Sequence, residues 1–280
     1  MRRGTRCGWL VVFQWLLTAP SLCPAGVIVS GETYTDYDAA LAGVDAISSV
    51  GKISWSGGYA SGTYLGEGWV LTAAHVASSS TTFTFTVNGT SYTSSAVYVY
   101  DGWSGNASAG GDIALIQLSD SNVASDGVLL YSGTTSSLVG QVVYLSGYGK
   151  TGTGTTGATG SGGVLHAGVN LIEITGGTRP FFSSLDDSIL LFDFDNPSSS
   201  NDGYPWSADS ALAYEYMVAS GDSGGGAFVI IDGVTYLVGV NSFILAYDGT
   251  ADGSYGDIGG LTSVADYTGW IQSVTGVDFT

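Results

Sequence analysis

The sequence predicts an all-β fold, and three observations carry the prediction. Short runs of continuous or alternating apolar residues recur along the chain after its first 25 residues. Turn dipeptides separate them, among them Asn88-Gly89 and Asp232-Gly233. Gly is abundant, at 44 of 280 residues, and charged residues make up only 11%, so long charge-laced helices have little to be built from. Many short strands with little helix give a barrel or a sandwich.

The elements follow in order. The run 51–55 ends in Ile53, Ser54 and Trp55, and 69–71 is Trp-Val-Leu. Both carry the aromatic and β-branched residues that suit a pleated surface. Residues 82–87 alternate Thr with Phe and Val and run into Asn88-Gly89, a two-residue hairpin signal because both residues tolerate positive φ. Then come 96–100 and 113–118; the latter is nearly continuous in apolar residues and reads as a strand buried on both faces. The second half holds 141–146, 163–174, 189–194, 227–231 and 235–243, with Asp232-Gly233 joining the last two as a second hairpin. Residues 264–274 read as a closing helix with Trp270 and Ile271 on its apolar face. The segment 150–163 is made of Gly, Thr, Ser and Ala after Lys150, a low-complexity loop expected to be exposed and flexible. No internal repeat or second folded domain is legible.

Residues 1–25 read as a secretory signal peptide. Arg2, Arg3 and Arg6 form the positive head, 9–17 is the apolar stretch, and cleavage is expected after Ala25. The stretch is too short for a membrane span and is followed by Pro20 and Pro24. Cys23 raises a lipid-anchored alternative, for which Pro20-Ser21-Leu22 is a poor context. Removal of the signal leaves Lys52, Lys150 and Arg179 against 24 acids, a net charge of about −21. Such a surface repels nucleic acid and anionic lipid and steers cationic peptides toward it. The expected protein is therefore exported, extracellular or periplasmic, monomeric, and without a nucleic-acid or membrane partner. Both cysteines, Cys7 and Cys23, lie in the signal, so the exported chain has no disulfide. At ~255 residues it is long enough to bury a core without one.

Three stretches carry chemistry. Gly221-Asp222-Ser223-Gly224-Gly225 sets a serine in a tight Gly turn. A serine hydroxyl needs a base to take its proton and donors to hold the oxyanion that forms. Leu71-Thr72-Ala73-Ala74-His75 ends in one of only two histidines, and Gly111-Asp112-Ile113-Ala114-Leu115-Ile116 places an acid at the head of an apolar run. In the order His, Asp, Ser these stretches resemble the trypsin-like (chymotrypsin-fold) serine proteases, over roughly residues 45–275, as a bacterial-type secreted member without disulfides.

The resemblance implies two six-stranded antiparallel barrels, roughly 45–135 and 136–262, with the active site between them and a C-terminal helix at 264–274. It implies a serine endopeptidase acting on polypeptides, with no cofactor and no metal. Ser223 is then the nucleophile, His75 the general base and acid, and Asp112 the group that orients His75. The amides of Gly221 and Ser223 form the oxyanion hole. The residue after the catalytic His, usually Cys in disulfide-bearing relatives, is Val76 here, and its usual partner aligns near Ala60. The specificity pocket aligns with Met217 and Val218 at the floor, Ser242-Phe243-Ile244 as the substrate-pairing strand, and Gly259 as a further wall. With no charge at Met217, a small or medium apolar side chain is expected before the cut. Asp222 and Ile28 are linked to activation: Ile28-Val29-Ser30-Gly31 looks like a degenerate protease start whose freed amino group would pair with Asp222.

Other readings remain at this stage. Asp112 alone could be a turn residue, and His166, the second histidine, reads as structural or surface. Asp248, Asp252 and Asp257, and the pair Asp193 and Asp195, match no calcium-loop motif and read as solvated acids. A protease fold kept as a non-catalytic binding protein, or a Gly/Ser/Thr-rich surface protein, are the rival functions.

Overall fold

The computed structural model describes residues 26–178, 184–198, 210–246 and 249–280. The signal segment, Arg179 and Asp248 lie outside them. The strand β1 (Gly26–Ile28) and helix α1 (Tyr34–Leu41) come first. The first half then forms a closed barrel from β2 (Val50–Trp55), β3 (Gly58–Gly66), β4 (Trp69–Thr72), β5 (Thr84–Val87), β6 (Thr90–Val99) and β7 (Ala114–Leu118), paired in the order β2-β3-β4-β7-β6-β5. A short helix α2 (Ala74–Ala77) follows β4. Alternation does what it should in β5, where Phe85 and Val87 point inward and Thr84 and Thr86 do not. The Asn88-Gly89 hairpin turns with φ of 48° and 77°, and Asp232-Gly233 with 51° and 80°. Ala60 and Val76 are both buried in the core of this barrel.

The second half contains β8 (Leu129–Leu130), β9 (Val142–Gly147), β10 (Thr151–Thr153), β11 (His166–Leu171), β12 (Ile174–Thr175), β13 (Ile189–Asp193), β14 (Tyr216–Met217), β15 (Gly226–Ile231), β16 (Val234–Leu245) and β17 (Ile258–Ser263), with α3 (Thr268–Thr275) at the end. Its main sheet runs β11-β9-β15-β16-β17-β13-β12. β11 and β12 are two parts of one bent segment, so its start pairs with β9 and its end with β13, and the segment bridges the open edges. At the bend the Asn170 side chain substitutes for ladder bonds, its Nδ2 donating to Asp193 O at 2.8 Å and Tyr216 O at 3.2 Å. The protein thus has one closed six-stranded barrel and a half-barrel sheet rather than two uniformly hydrogen-bonded barrels. Among the described residues no helix is long and apolar enough to cross a membrane.

Two sequence expectations change. The segment 150–163 is not a free loop. β10 pairs in parallel with β1, Ala158 N–H donates to Asp252 O at 2.7 Å, and Gly160 N–H to Thr151 O at 2.8 Å. Small residues suit it to this close backbone approach rather than to flexibility. The acids read as solvated are also largely folded inward: Asp193, Asp195 and Asp257 are buried. Asp257 Oδ2 accepts the N–H groups of Asp252 and Gly253 at 3.1 and 2.8 Å.

Candidate active site

The β4–β7 pairing sets the first part of the site. Thr72 lies opposite Ala114, so the residues just past each strand end share one corner. There α2 carries His75 and the chain before β7 carries Asp112. The fully buried Asp112 takes His75 N–H on Oδ1 at 2.9 Å, and His75 Nδ1 lies 2.8 Å from Oδ2. The imidazole is thus held at both backbone and ring while its side chain stays 38% exposed.

Asp112 is also gripped from the other half of the molecule. The Ser242 hydroxyl donates to Oδ2 at 2.5 Å, and Thr262 Oγ1 donates to the Asp112 carbonyl at 3.2 Å. Ser242 reaches it because the register of β16 against β17 shifts between Asn241 and Phe243. A bulge of this kind re-aims one side chain out of the ladder.

Ser223 sits in the loop between β14 and β15. Its carbonyl accepts from Ser61 N–H at 2.9 Å, and the Gly221 carbonyl accepts from the Ser61 hydroxyl at 2.9 Å. Both carbonyls therefore face β3. Among the described residues neither the Gly221 nor the Ser223 amide has an acceptor. Two glycines permit the turn. Gly221 has φ +104°, and a Cβ there would meet Gly149 Cα at 2.9 Å. A Cβ on Gly224 would lie 2.1 Å from Thr72 Oγ1. Ser61, at this junction of the halves, is a residue the motifs did not point to.

Asp222 lies beneath the loop, fully buried. Its carboxylate accepts Gly149 N–H at 2.7 Å and Ala219 N–H at 2.8 Å. Burial outweighs these bonds and pushes its carboxyl up to about 7. Ile28 is the last residue of β1, opposite Thr153 and Tyr216. Gly26, two residues earlier, is the residue pressed on the Tyr216 ring, where a Cβ would meet the hydroxyl at 1.9 Å.

A cavity of about 290 Å³ opens beside Ser223, walled by residues 218–220 on one side and 241–244 on the other, with Ala251 completing it. Of the expected pocket residues it includes Val218, Ser242, Phe243 and Ile244. Met217 and Gly259 are not in its wall. Met217 is fully buried in β14 against Val27, and the place beside Gly259 is filled by the Phe192 ring. Ala219, Ser220, Asn241 and Ala251 are additions to the expected set; an Asn directly after the apolar run 237–240 was the available signal for Asn241.

Two further polar groups sit away from the cleft. His166 is buried, its Nδ1 2.7 Å from Asp38 Oδ1 and its ring 4.8 Å from that of Tyr34. Buried Glu215, Asp193 and Asp195 form a carboxylate cluster with the half-buried Glu173. Burial, reinforced by the neighbouring acids, pushes Glu215 up to about 8 and Asp193 higher still.

A sequence model of the Trypsin family matches residues 28–166, a span containing His75 and Asp112 and ending before Ser223. No curated protein sequence matches significantly. Neuropsin, a serine protease expressed in the limbic system of mouse brain, superposes with a TM-score of 0.59 at 21% identity, covering 82% of this chain and 95% of that one. Residues 28–166 thus match the trypsin-like serine proteases, and the described chain has a chymotrypsin-type protease fold. At that identity the neuropsin likeness speaks for the fold of the protease, including the half beyond residue 166. The site residues of this protease rest on its own geometry.

Proposed function

We propose that the protease is an exported endopeptidase in which Ser223, His75 and Asp112 act as nucleophile, general base and orienting acid. The observation that carries this is the Asp112 carboxylate, buried and bonded to both the backbone and the ring of His75. Nδ1–H donating to Asp112 leaves Nε2 to take the Ser223 proton. Ser223 Oγ then bonds to the substrate carbonyl carbon, and the oxyanion is met by the amides of Gly221 and Ser223, which have no acceptor among the described residues. His75 returns the proton to the leaving amine as the C–N bond breaks. Water, deprotonated by the same ring, hydrolyses the acyl-enzyme and restores Ser223.

The apolar wall at Val218 and Ile244 supports cleavage after short or medium uncharged side chains. An Arg or Lys there would be buried without a counter-charge. Residues 1–25 act as the export signal in this reading, and Asp222, under the oxyanion loop, is the point at which a new amino terminus would act. The rival, a non-catalytic binding protein on the same fold, has no use for an activated serine. A fluorophosphonate probe should therefore label Ser223 in the purified protein, and Ser223→Ala should lower kcat by on the order of 10⁶. Retention of most peptidase activity in Ser223→Ala would sink the assignment.

A further inference from the structure

We infer that Tyr34 and Tyr37 are positioning residues for catalysis: from one face of α1 they hold β1 between β10 and β14, and so hold the loop that carries Ser223. The inference rests on the protease reading of Ser223 and deepens it.

β1 is only three residues long, yet it is the middle strand of the sheet β10-β1-β14. Its two neighbours lead straight to the nucleophile loop. β14 runs on into Val218 and Ala219, and the Ala219 N–H donates to Asp222 Oδ2 at 2.8 Å. β10 follows Gly149, whose N–H donates to Asp222 Oδ1 at 2.7 Å, and Lys150, whose N–H donates to Ser220 O at 2.9 Å. The two backbone donors that fix Asp222 therefore come from the two segments that β1 joins. Asp222 directly precedes Ser223, so its placement sets the turn in which the Gly221 and Ser223 amides are presented.

So short a strand is weakly held by its own ladder. The phenols of α1 add the rest. Tyr34 O–H donates to Gly26 O at 2.6 Å and its oxygen accepts Gly152 N–H at 3.0 Å, which ties β1 to β10. Tyr37, three residues on and fully buried, accepts Val29 N–H at 3.0 Å and donates to Glu215 O at 2.7 Å. It thereby ties the end of β1 to the residue that enters β14. Each phenol uses both its donor and its acceptor on backbone groups of two different segments. A phenylalanine ring would pack as well, so the bridging is what the hydroxyls add. Burial keeps both in the donating form, pushing Tyr34 up to about 12 and raising Tyr37 too. The helix itself is anchored on β11, where Leu41 packs against Ala167 and Val169 and Asp38 Oδ1 lies 2.7 Å from His166 Nδ1.

The test is Tyr34→Phe, Tyr37→Phe and the double variant of the intact exported protein, at a temperature where circular dichroism shows each folded. Each is assayed with one peptide p-nitroanilide and one peptide boronic acid. Loosening the loop displaces the oxyanion donors without removing them. Each single variant should therefore lose about tenfold in kcat, less than outright loss of a donor costs, with KM moved by less than about twofold. Affinity for the boronic acid, which mimics the tetrahedral intermediate, should weaken in proportion to kcat/KM. Both phenols hold one strand, so the double variant should lose less than the product of the two singles. Variants that melt earlier but keep kcat and boronic acid affinity while folded overturn the inference, by leaving the tyrosines a structural role alone. Amide exchange on a Ser223→Ala background decides the matter even where no tyrosine variant folds. The Val29, Ala219 and Asp222 N–H groups should open together; Val29 exchanging freely while the other two stay protected overturns the inference. Failure of the unaltered protein both to cleave any peptide and to take up a fluorophosphonate would instead remove the protease reading, and this inference with it.

Discussion

Glu215→Gln should reverse the sign of its effect on stability as pH rises. Glu215 is buried, with Oε1 accepting Asp195 N–H at 2.7 Å and Oε2 accepting Leu212 N–H at 2.6 Å. Burial raises its carboxyl from 4.5 to about 8; the two backbone bonds oppose this, and Asp195 and Glu173 add to it. Between those values the folded chain holds a proton that the unfolded chain has released. Stability tied to this group is complete below about pH 4.5 and is lost as pH climbs to about 8. At 1.36 kcal/mol per pH unit, the loss over about 3.5 units is about 5 kcal/mol. Glutamine keeps the shape and does not titrate, but one oxygen that accepts a backbone N–H becomes an NH₂ group, a cost of about 1–2 kcal/mol. The variant should be the less stable protein at pH 4 by about that amount, and the more stable one at pH 9 by about 3 kcal/mol, with the curves crossing near pH 6. Urea unfolding of both proteins on a Ser223→Ala background, which removes self-digestion, measures this directly. A difference that stays constant from pH 4 to 9 would mean that Glu215 carries no extra proton in the fold.

Two more outcomes follow from the same structure. With no cysteine between residues 26 and 280, activity should be unchanged in dithiothreitol, and a loss with clean controls would place Cys23 in the mature protein. If a freed amino group does act on Asp222, amino-terminal sequencing of active protein should find Gly26 and not Ile28, because a start at Ile28 deletes the Gly26–Thr151 and Val27–Met217 pairings of β1; recovery of Ile28 would refute this placement.

Strands built from apolar mass were legible, and strands built from small residues were not. β5 and β7 show in the sequence because Phe, Val, Ile and Leu fill their inward positions. β3 reads Gly-Tyr-Ala-Ser-Gly-Thr-Tyr-Leu-Gly and gives no such signal. Its burial depends on closeness: a Cβ at Gly62 would meet Ile53 at 2.6 Å and Val70 at 2.8 Å. β17 was passed over for the same reason, since Gly259 and Gly260 leave room for the rings of Phe192 and Phe243. The helix α1 has a readable cap, Thr33 accepting Asp36 N–H, yet its apolar stripe is little more than Tyr37 and Leu41. The inward turn of Asp193 and Asp195 had no local signature, because their neighbours Glu173 and Glu215 lie about twenty residues away in the chain, whereas Asp257 turns in on the local N–H groups of Asp252 and Gly253.

The same distinction runs through the site. The proposed triad, His75, Asp112 and Ser223, could be nominated because such chemistry demands particular residue types in particular short contexts. What holds them could not, since it joins segments remote in sequence. Ser61 on the first barrel donates to both the Ser223 and Gly221 carbonyls of the loop from the second half. Ser242 and Thr262 on the second half take Asp112 from the first. Each half thus fixes a residue of the proposed triad, or its loop, carried by the other, and the halves cannot shift apart without loosening both. The bulge in β16 shows why sequence alone stops short here. Alternation along a strand would send Asn241 and Ser242 to opposite faces, one of them away from the cleft. The register shift between Asn241 and Phe243 lets Ser242 reach Asp112 while Asn241 remains in the cavity wall, so a single irregularity of backbone serves both the proposed orienting acid and the cavity proposed to take substrate.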